Sequence, residues 1–460
     1  MIGRVLVISY LYPPSEEMGA QACAQIARYL PDYGWTPIVL TVRQPHPDRR
    51  RQAEGIRRGT EIRTAVLPHP FAMYRALRSW GRSIQVEPVD EGLPDESRRR
   101  GRLRYWALSL LAVPDAFTGW IPAAVLAGWR AIRRHRVEHL ISSGPPWTSH
   151  LVGLMLARLS GLPWTAHFRD PWVMSRVEMA RFKPVSAQSR RLEAALERMV
   201  VTRADTVVCV TEEHAALLRR VHAQTDASKF VTIPNGFDGV EWEELAGGDR
   251  SDAAEGGSFV ITYAGTLYDR RTPAPLFRAL RALIDAGEVD RERIRIDLLG
   301  RCDVADGRRV SDLAAECGLS DCVRLTGPLR RSDALRRMTQ SDLLLLLAEG
   351  LTLQVPGKTY EYLRAGRPVL ALAPEGAVAR LLRRTAGTWV IDPADQIGLI
   401  TALREAYRRW ADGTELPAPD PAAVAAFDRR ILAGRFAEVF AGGATAAPRP
   451  ESRPQAGEAR

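Results

Sequence analysis

The feature that most constrains this chain is a twice-repeated alternation of short apolar runs with amphipathic segments. The first round opens with RVLVISY (4–10), an apolar run rich in β-branched residues, then the loop LYPPSEEMGA with two prolines and Gly19. AQACAQIARYLPDYG follows with apolar residues at helical spacing and ends near Gly34, and TPIVLTV (36–42) reads as the next strand. Parallel neighbours need a crossover connection, which a helix supplies, so a β-α-β opening commits the chain to a parallel sheet.

The pattern lapses over residues 45–104, which are polar, Arg-rich and irregular. Strands resume at 137–143, 163–168, 205–211 and 230–234, with helices expected over 144–161 and 187–203. VEWEELAGGDRSDAAEGGSF (239–258) has the acidic, Gly/Ser/Asp composition of a linker. A second round then runs through strands at 259–265, 294–300, 323–327, 342–348, 368–373 and 388–391. Helices are expected between them at 273–286, 308–317, 332–340 and 357–365, then at 396–412 and 421–441. The predicted organisation is an α/β domain over 1–238 with an Arg-rich insertion at 45–136, a linker over 239–258, a second α/β domain over 259–441, and a disordered tail over 442–460. In doubly wound domains, ligands bind outside the carboxyl ends of the strands.

A chain of 460 residues can hold two or three such domains without covalent staples. Its five cysteines are odd in number and form no metal-type pairs, so reduced thiols are expected. Met1 leads directly into a strand and no apolar run reaches the ~20 residues of a membrane span. The expected location is therefore cytoplasmic, peripheral at the inner face of the membrane. The formal charge is +10, and residues 1–140 hold 21 Arg against 13 acidic residues. Arg clusters beside YWALSLLAV (105–113) and GWIPAAVLAGW (119–129) suit either a solvated surface or an anionic membrane surface. Nucleic acid is not an expected partner, because no recognition signature accompanies the charge. Only three of the 64 cationic residues are Lys: Lys183, Lys229 and Lys358.

The sharpest chemical motif is VPGKTYEYLRAG, Val355 to Gly366. Pro356 and Gly357 begin a helix just after an apolar strand, and the free N–H groups and dipole of a helix start favour phosphate. Lys358 is out of place in a first turn unless an anion joins it, and Glu361, a turn deeper, could accept from a ribose diol. In YAGTLYDRRTP (263–273), Gly265 and Thr266 end a strand and Arg270 and Arg271 could clamp a diphosphate. Gly327, Pro328 and Leu329 end another strand where backbone could meet a flat base. In the first half, Gly19 opens a helix, SSGPPWTSH (142–150) ends a strand, and His167 and Asp170 stand at the end of PWTAHF. Each of these admits a purely structural reading as well.

The whole pattern resembles glycosyltransferase family 4, retaining enzymes of the GT-B fold, over about residues 1–440. The pieces that carry it are SSGPPWTSH, HFRDPW, VTEEH with IPNGFD, YAGTLYDRR, TGPLRR and VPGKTYEYLRAGRPVLAL. The resemblance implies two Rossmann-like doubly wound domains facing each other across a cleft. It implies that Glu361 holds the donor ribose, that Arg270 or Arg271 neutralises the diphosphate beside Gly357 and Lys358, and that Gly327 to Leu329 lie near the base. It sets His167 near the transferred sugar and Gly19 by the donor phosphates. The family's usual two glutamates eight apart are here Leu353 and Glu361.

The expected reaction moves a sugar from a nucleotide diphosphate sugar to a hydroxyl acceptor with retention, without a metal or other cofactor. His167, Asp170, Arg271 and Lys358 are the expected catalytic residues, and a lipid-linked or small-molecule acceptor is the expected second substrate. Alternatives are a natural-product glycosyltransferase, a GT-B nucleotide-sugar epimerase and a non-catalytic GT-B-like partner protein. A dinucleotide-dependent oxidoreductase is disfavoured, because no GxGxxG follows a strand.

Overall fold

The computed structural model describes residues 3–15, 18–43, 60–67, 113–173, 187–246, 257–267 and 271–442. Two compact units emerge: Met1–Cys209 with Leu217–Ile233 and Gly434–Arg460, and Val210–Ala216 with Pro234–Ala433.

The first unit is built on seven strands: β1 (Gly3–Ile8), β2 (Trp35–Val42), β3 (Thr60–Thr64), β4 (His139–Gly144), β5 (Trp164–Phe168), β6 (Thr206–Cys209) and β7 (Phe230–Thr232). They lie in the order β3-β2-β1-β4-β5-β6-β7, every pair parallel. The order reverses between β1 and β4, the switch point of a doubly wound sheet. Its helices are α1 (Met18–Tyr29), α2 (Ile121–His135), α3 (Thr148–Ser160) and α4 (Ala187–Arg203), with part of α5 (Glu212–Val221).

The second unit repeats the plan with β8 (Phe259–Ala264), β9 (Ile294–Leu299), a two-residue hairpin β10 (Val304–Ala305) and β11 (Arg308–Arg309), β12 (Val323–Gly327), β13 (Leu343–Leu347), β14 (Val369–Leu372) and β15 (Thr388–Ile391). Its main sheet is all parallel in the order β12-β9-β8-β13-β14-β15, with the switch between β8 and β13. The helices are α6 (Gly239–Ala246), α7 (Ala274–Asp285), α8 (Val310–Glu316), α9 (Arg331–Thr339), α10 (Gly357–Arg364), α11 (Ala377–Thr385), α12 (Gln396–Ala411), α13 (Pro421–Ala425) and α14 (Arg429–Phe440).

Continuous apolar strands are what a sheet covered on both faces requires. In β13, Leu343, Leu345 and Leu347 join one core with Phe277, Leu280 and Leu403, while Leu344 and Leu346 join the other with Tyr360, Tyr362 and Val378. All five leucines are buried, so alternation selects a core rather than core against solvent.

Several elements depart from the sequence reading. Thr60–Thr64 and Ile121–His135 fall inside the stretch assigned as an insertion, yet form an edge strand and a core helix. TEIRT hides its strand character because an edge strand is half solvated. Trp120 is buried and donates from Nε1 to Thr64 Oγ1 at 2.7 Å, and Ala124, Gly128, Ala131 and Ile132 face inward. The apolar run GWIPAAVLAGW thus serves mainly the first core; YWALSLLA (105–112) lies outside the described residues. The stretch taken as a linker begins with α6. The hairpin occupies 304–309, so the helix expected from 308 starts at Val310.

The helix expected over 421–441 is interrupted at 426–428, where Asp428 bridges to Phe237 and its carboxylate accepts from Arg430 N at 2.8 Å, capping α14. From Gly434 onward α14 belongs to the first unit. Phe440 stacks edge-on with Trp35 at 5.3 Å, Phe436 meets His167 at 5.1 Å, and Arg435 donates to Thr232 O at 2.7 Å. Apart from Gly442, the predicted tail lies outside the described residues.

Candidate active site

In the second unit the carboxyl ends of β12, β9 and β8 meet through backbone. Gly300 N donates to Gly327 O at 2.9 Å and Gly265 N to Leu299 O at 2.8 Å. Gly265 has φ +135° and Gly300 φ +110°, conformations that side chains rarely adopt. A Cβ on Gly300 would overlap Gly265 O, and one on Gly265 would overlap Lys358 Nζ. The Lys358 ammonium therefore occupies the space where residue 265 would otherwise carry a side chain. Thr266, exposed, follows Gly265.

Helix α10 delivers Lys358 and Glu361. It begins after Pro356, an extended N-cap with no side-chain hydrogen bond and no acidic residue in the first turn. Residues 358, 361 and 362 lie on one face by helical spacing. The face is pinned to β8 because Ala264 N donates to Tyr362 Oη at 2.7 Å. Lys358 Nζ donates to Tyr263 Oη at 2.8 Å and lies 4.0 Å from the ring centroid, and that hydroxyl donates onward to Thr266 O at 2.9 Å. Arg271 is buried nearby. Burial, and then the Arg271 charge, push Lys358 down to about 7, against smaller opposing effects of Cys302 and Glu361. Cys302 donates to Gly265 O at 3.3 Å, and burial pushes its thiol up to about 12, so it is a neutral donor here.

Glu361 is buried, with Arg331 Nη2 donating to its Oε1 at 2.8 Å. Arg331 also grips Glu241 of α6 through Nε and Nη2, at 3.0 and 2.8 Å to Oε2. Burial works against the Arg331 charge, but Glu361 and Glu241 more than offset it and raise its pKa. Arg429 is buried beside this pair, its pKa lowered chiefly by burial, with its Nη1 lacking a hydrogen-bond partner.

The structure thus brings together Gly265, Thr266, Arg271, Gly327, Gly357, Lys358 and Glu361 of the expected donor residues, with Pro328 exposed and Leu329 partly buried at the end of β12. Arg270 lies outside the described residues. Leu353, where the family's other glutamate is usual, is held by its carbonyl, which accepts from Thr211 Oγ1. Sequence reasoning missed Tyr263, Cys302, Glu241, Arg331 and Arg429. The acidic run VEWEELA was a visible signal for Glu241, but composition alone made it a linker.

In the first unit, parallel register sets Ser143 opposite His167, and their side chains hydrogen bond at 3.1 Å. Burial, and then Arg169, push His167 down to about 3, so its imidazole is neutral near pH 7. Asp170, partly buried, follows the strand. Arg169 covers Gly19 closely enough that a Cβ there would overlap its guanidinium, which also donates to Pro145 O. Among the described residues no cluster of three His, Cys, Asp or Glu could hold a metal ion.

Two all-parallel doubly wound units, one carrying a cation pair at glycine-ended strands, define a GT-B protein. The description "Glycosyl transferase 4-like domain" matches residues 84–236, and "Glycosyl transferases group 1" matches residues 258–409. The matches together span well over half of the sequence, and the chain belongs to this glycosyltransferase family. No curated protein sequence matches it. Similar solved structures include a sucrose-phosphate synthase from Thermosynechococcus elongatus, at 15% identity and TM-score 0.61, covering 96% of this chain and 99% of that one. A glycosyltransferase from Rickettsia africae gives 13% and 0.59, covering 96% and 98%. HepE of Anabaena, solved with UDP and glucose, gives 14% and 0.60, covering 96% and 100%. At these identities the likeness speaks for the fold.

Proposed function

We propose that this glycosyltransferase moves a sugar, with retention, from a nucleotide diphosphate sugar to a hydroxyl acceptor in surface polysaccharide or glycolipid assembly. The observation that carries the reading is the Lys358–Arg271 pair at the Gly265 strand end. Lys358 stands in the first turn of a helix, where the helix dipole and the Arg271 charge both disfavour a further cation and favour a bound anion. The solved structure of HepE with UDP and glucose supports the same donor class. In this reading the diphosphate lies against Gly265, Thr266, Arg271 and the start of α10, and Arg270, outside the described residues, keeps the assignment that the resemblance gives it. The base meets Gly327 to Leu329, and Glu361 accepts from the ribose. The family resemblance assigns Gly19 to the phosphates and His167, in the HFRDPW segment with Asp170, to the transferred sugar, and within the first unit His167 is a neutral hydrogen-bonding group. As the sugar bond breaks, charge gathers on the diphosphate, and fixed cations and helix N–H groups stabilise it. No cofactor or metal is part of the proposal.

A panel of nucleotide sugars, scored for transfer and slow donor hydrolysis, tests this. Glu361→Ala should raise the donor KM about tenfold, the cost of hydrogen bonds to a charged group, with little change in kcat. Unchanged donor KM in a folded variant removes the ribose assignment.

The acceptor is proposed to be lipid-linked, reached at an anionic membrane surface, with a small molecule as the alternative. Leu126, Met155 and Leu159 are exposed on α2 and α3, near exposed Arg130, Arg133 and Arg158 on the same helices. No helix among the described residues is long and apolar enough to cross a membrane. The protein should sediment with vesicles containing phosphatidylglycerol and be released by salt. Equal recovery with neutral vesicles would argue for the soluble acceptor.

A further inference from the structure

The acidic helix α6 has no part in the donor contacts above, yet one of its carboxylates reaches them through a single guanidinium. We infer that Arg331, anchored by Glu241, is a positioning residue that sets the Glu361 carboxylate for the nucleoside's ribose hydroxyls. This rests on the ribose assignment of Glu361 made above.

Three observations support it. Arg331 Nη2 holds only Oε1 of Glu361, at 2.8 Å, which anchors one carboxylate oxygen and leaves Oε2 to accept from a diol. The guanidinium is fixed along its Nε–Nη2 edge, because Nε lies 3.1 and 3.0 Å from the two Glu241 oxygens and Nη2, which also holds Glu361, lies 2.8 Å from Oε2. Such a two-point grip fixes orientation as well as charge, which a lysine at 331 could not reproduce. A rival partner also stands close by. Arg429 is buried, feels the Glu361 charge, and has an Nη1 without a hydrogen-bond partner. Without Arg331, the Glu361 carboxylate would turn toward that unused donor and lose its aim. Glu241 makes the arrangement affordable: with two carboxylates on Arg331 and Arg429 behind, the cluster is close to neutral before the donor arrives.

The predicted signature is discrimination by the sugar of the nucleoside, which a general loss of folding would not alter selectively. Binding of UDP, GDP and ADP would be measured by calorimetry, and the tightest would be compared with its 2′-deoxy counterpart. The wild type should prefer the ribonucleotide. Glu361→Ala should abolish that preference, and Arg331→Met should reduce it about threefold while leaving affinity for the deoxynucleotide nearly unchanged. Arg331→Lys should restore part of it. Should Arg331→Met fail to fold, Glu241→Gln, which loosens the anchor and keeps Arg331, should reduce the preference by a smaller factor. If Glu361→Ala loses the preference while folded Arg331→Met or Glu241→Gln keeps it in full, the positioning role is overturned and the ribose assignment stands. If Glu361→Ala keeps it, or none of the three nucleotides binds, both are overturned.

Discussion

Replacing Lys358 with alanine should lower kcat by about two to three orders of magnitude, the usual loss when one preorganised donor to developing charge is removed. The side chain holds a position the fold has cleared for it, over Gly265 and against the Tyr263 hydroxyl at 2.8 Å. Water entering the vacated space can solvate the diphosphate of the ground state. It cannot match a fixed charge as the leaving group gains negative charge, so kcat should fall in addition to any loss of donor affinity. Lys358→Arg should rescue poorly, because its larger head would press on the Gly265 backbone. Steady-state kinetics with a thermal melt on each variant would decide. A folded Lys358→Ala enzyme with wild-type kcat would refute the leaving-group role.

Affinity for the donor should depend steeply on alkaline pH. With Lys358 pushed down to about 7 in the free protein, a bound diphosphate must raise it again. Below about pH 7 the ammonium is charged in both states and affinity is level. Between the free and bound values the complex takes up a proton, and affinity falls by up to about tenfold per pH unit. From pH 7 to pH 9 the loss should approach about a hundredfold, then level off above the bound pKa. An intact nucleotide sugar is the proper probe, since its diphosphate has no ionisation of its own in this window. Titration calorimetry in buffers of different ionisation enthalpy should show proton uptake near pH 8, absent in Lys358→Met. A flat profile from pH 6 to 9 would mean that Lys358 stays charged without a ligand.

The alternation of apolar runs made both sheets legible, because strands covered on two faces must be apolar throughout, as the LLLLL of β13 is. It could not show β3, whose TEIRT is polar at an exposed edge, nor the break before Arg429, which depends on a bridge between Phe237 and Asp428 far apart in sequence. The donor motif was legible for a similar reason: a glycine-ended strand and a lysine in a first helical turn are local signals. Tyr263 and Arg331 were not, since each acts through a partner 95 or 30 residues away. Nothing in a spacing rule reports such distances.

The return of α14 to the first sheet has a bearing on how this enzyme can be recombined with its relatives. A chimera joined near residue 239, close to where the chain passes into the second unit, would hand the second parent's Phe436 and Phe440 to a foreign sheet holding Trp35, His139 and His167. The first unit is then transferable only as a graft of two segments, the amino-terminal half together with the residues from Gly434 on. Any substitution on α14 at Phe436 or Phe440 must therefore be matched by the sheet near the opposite end of the chain, at Trp35, His139 and His167.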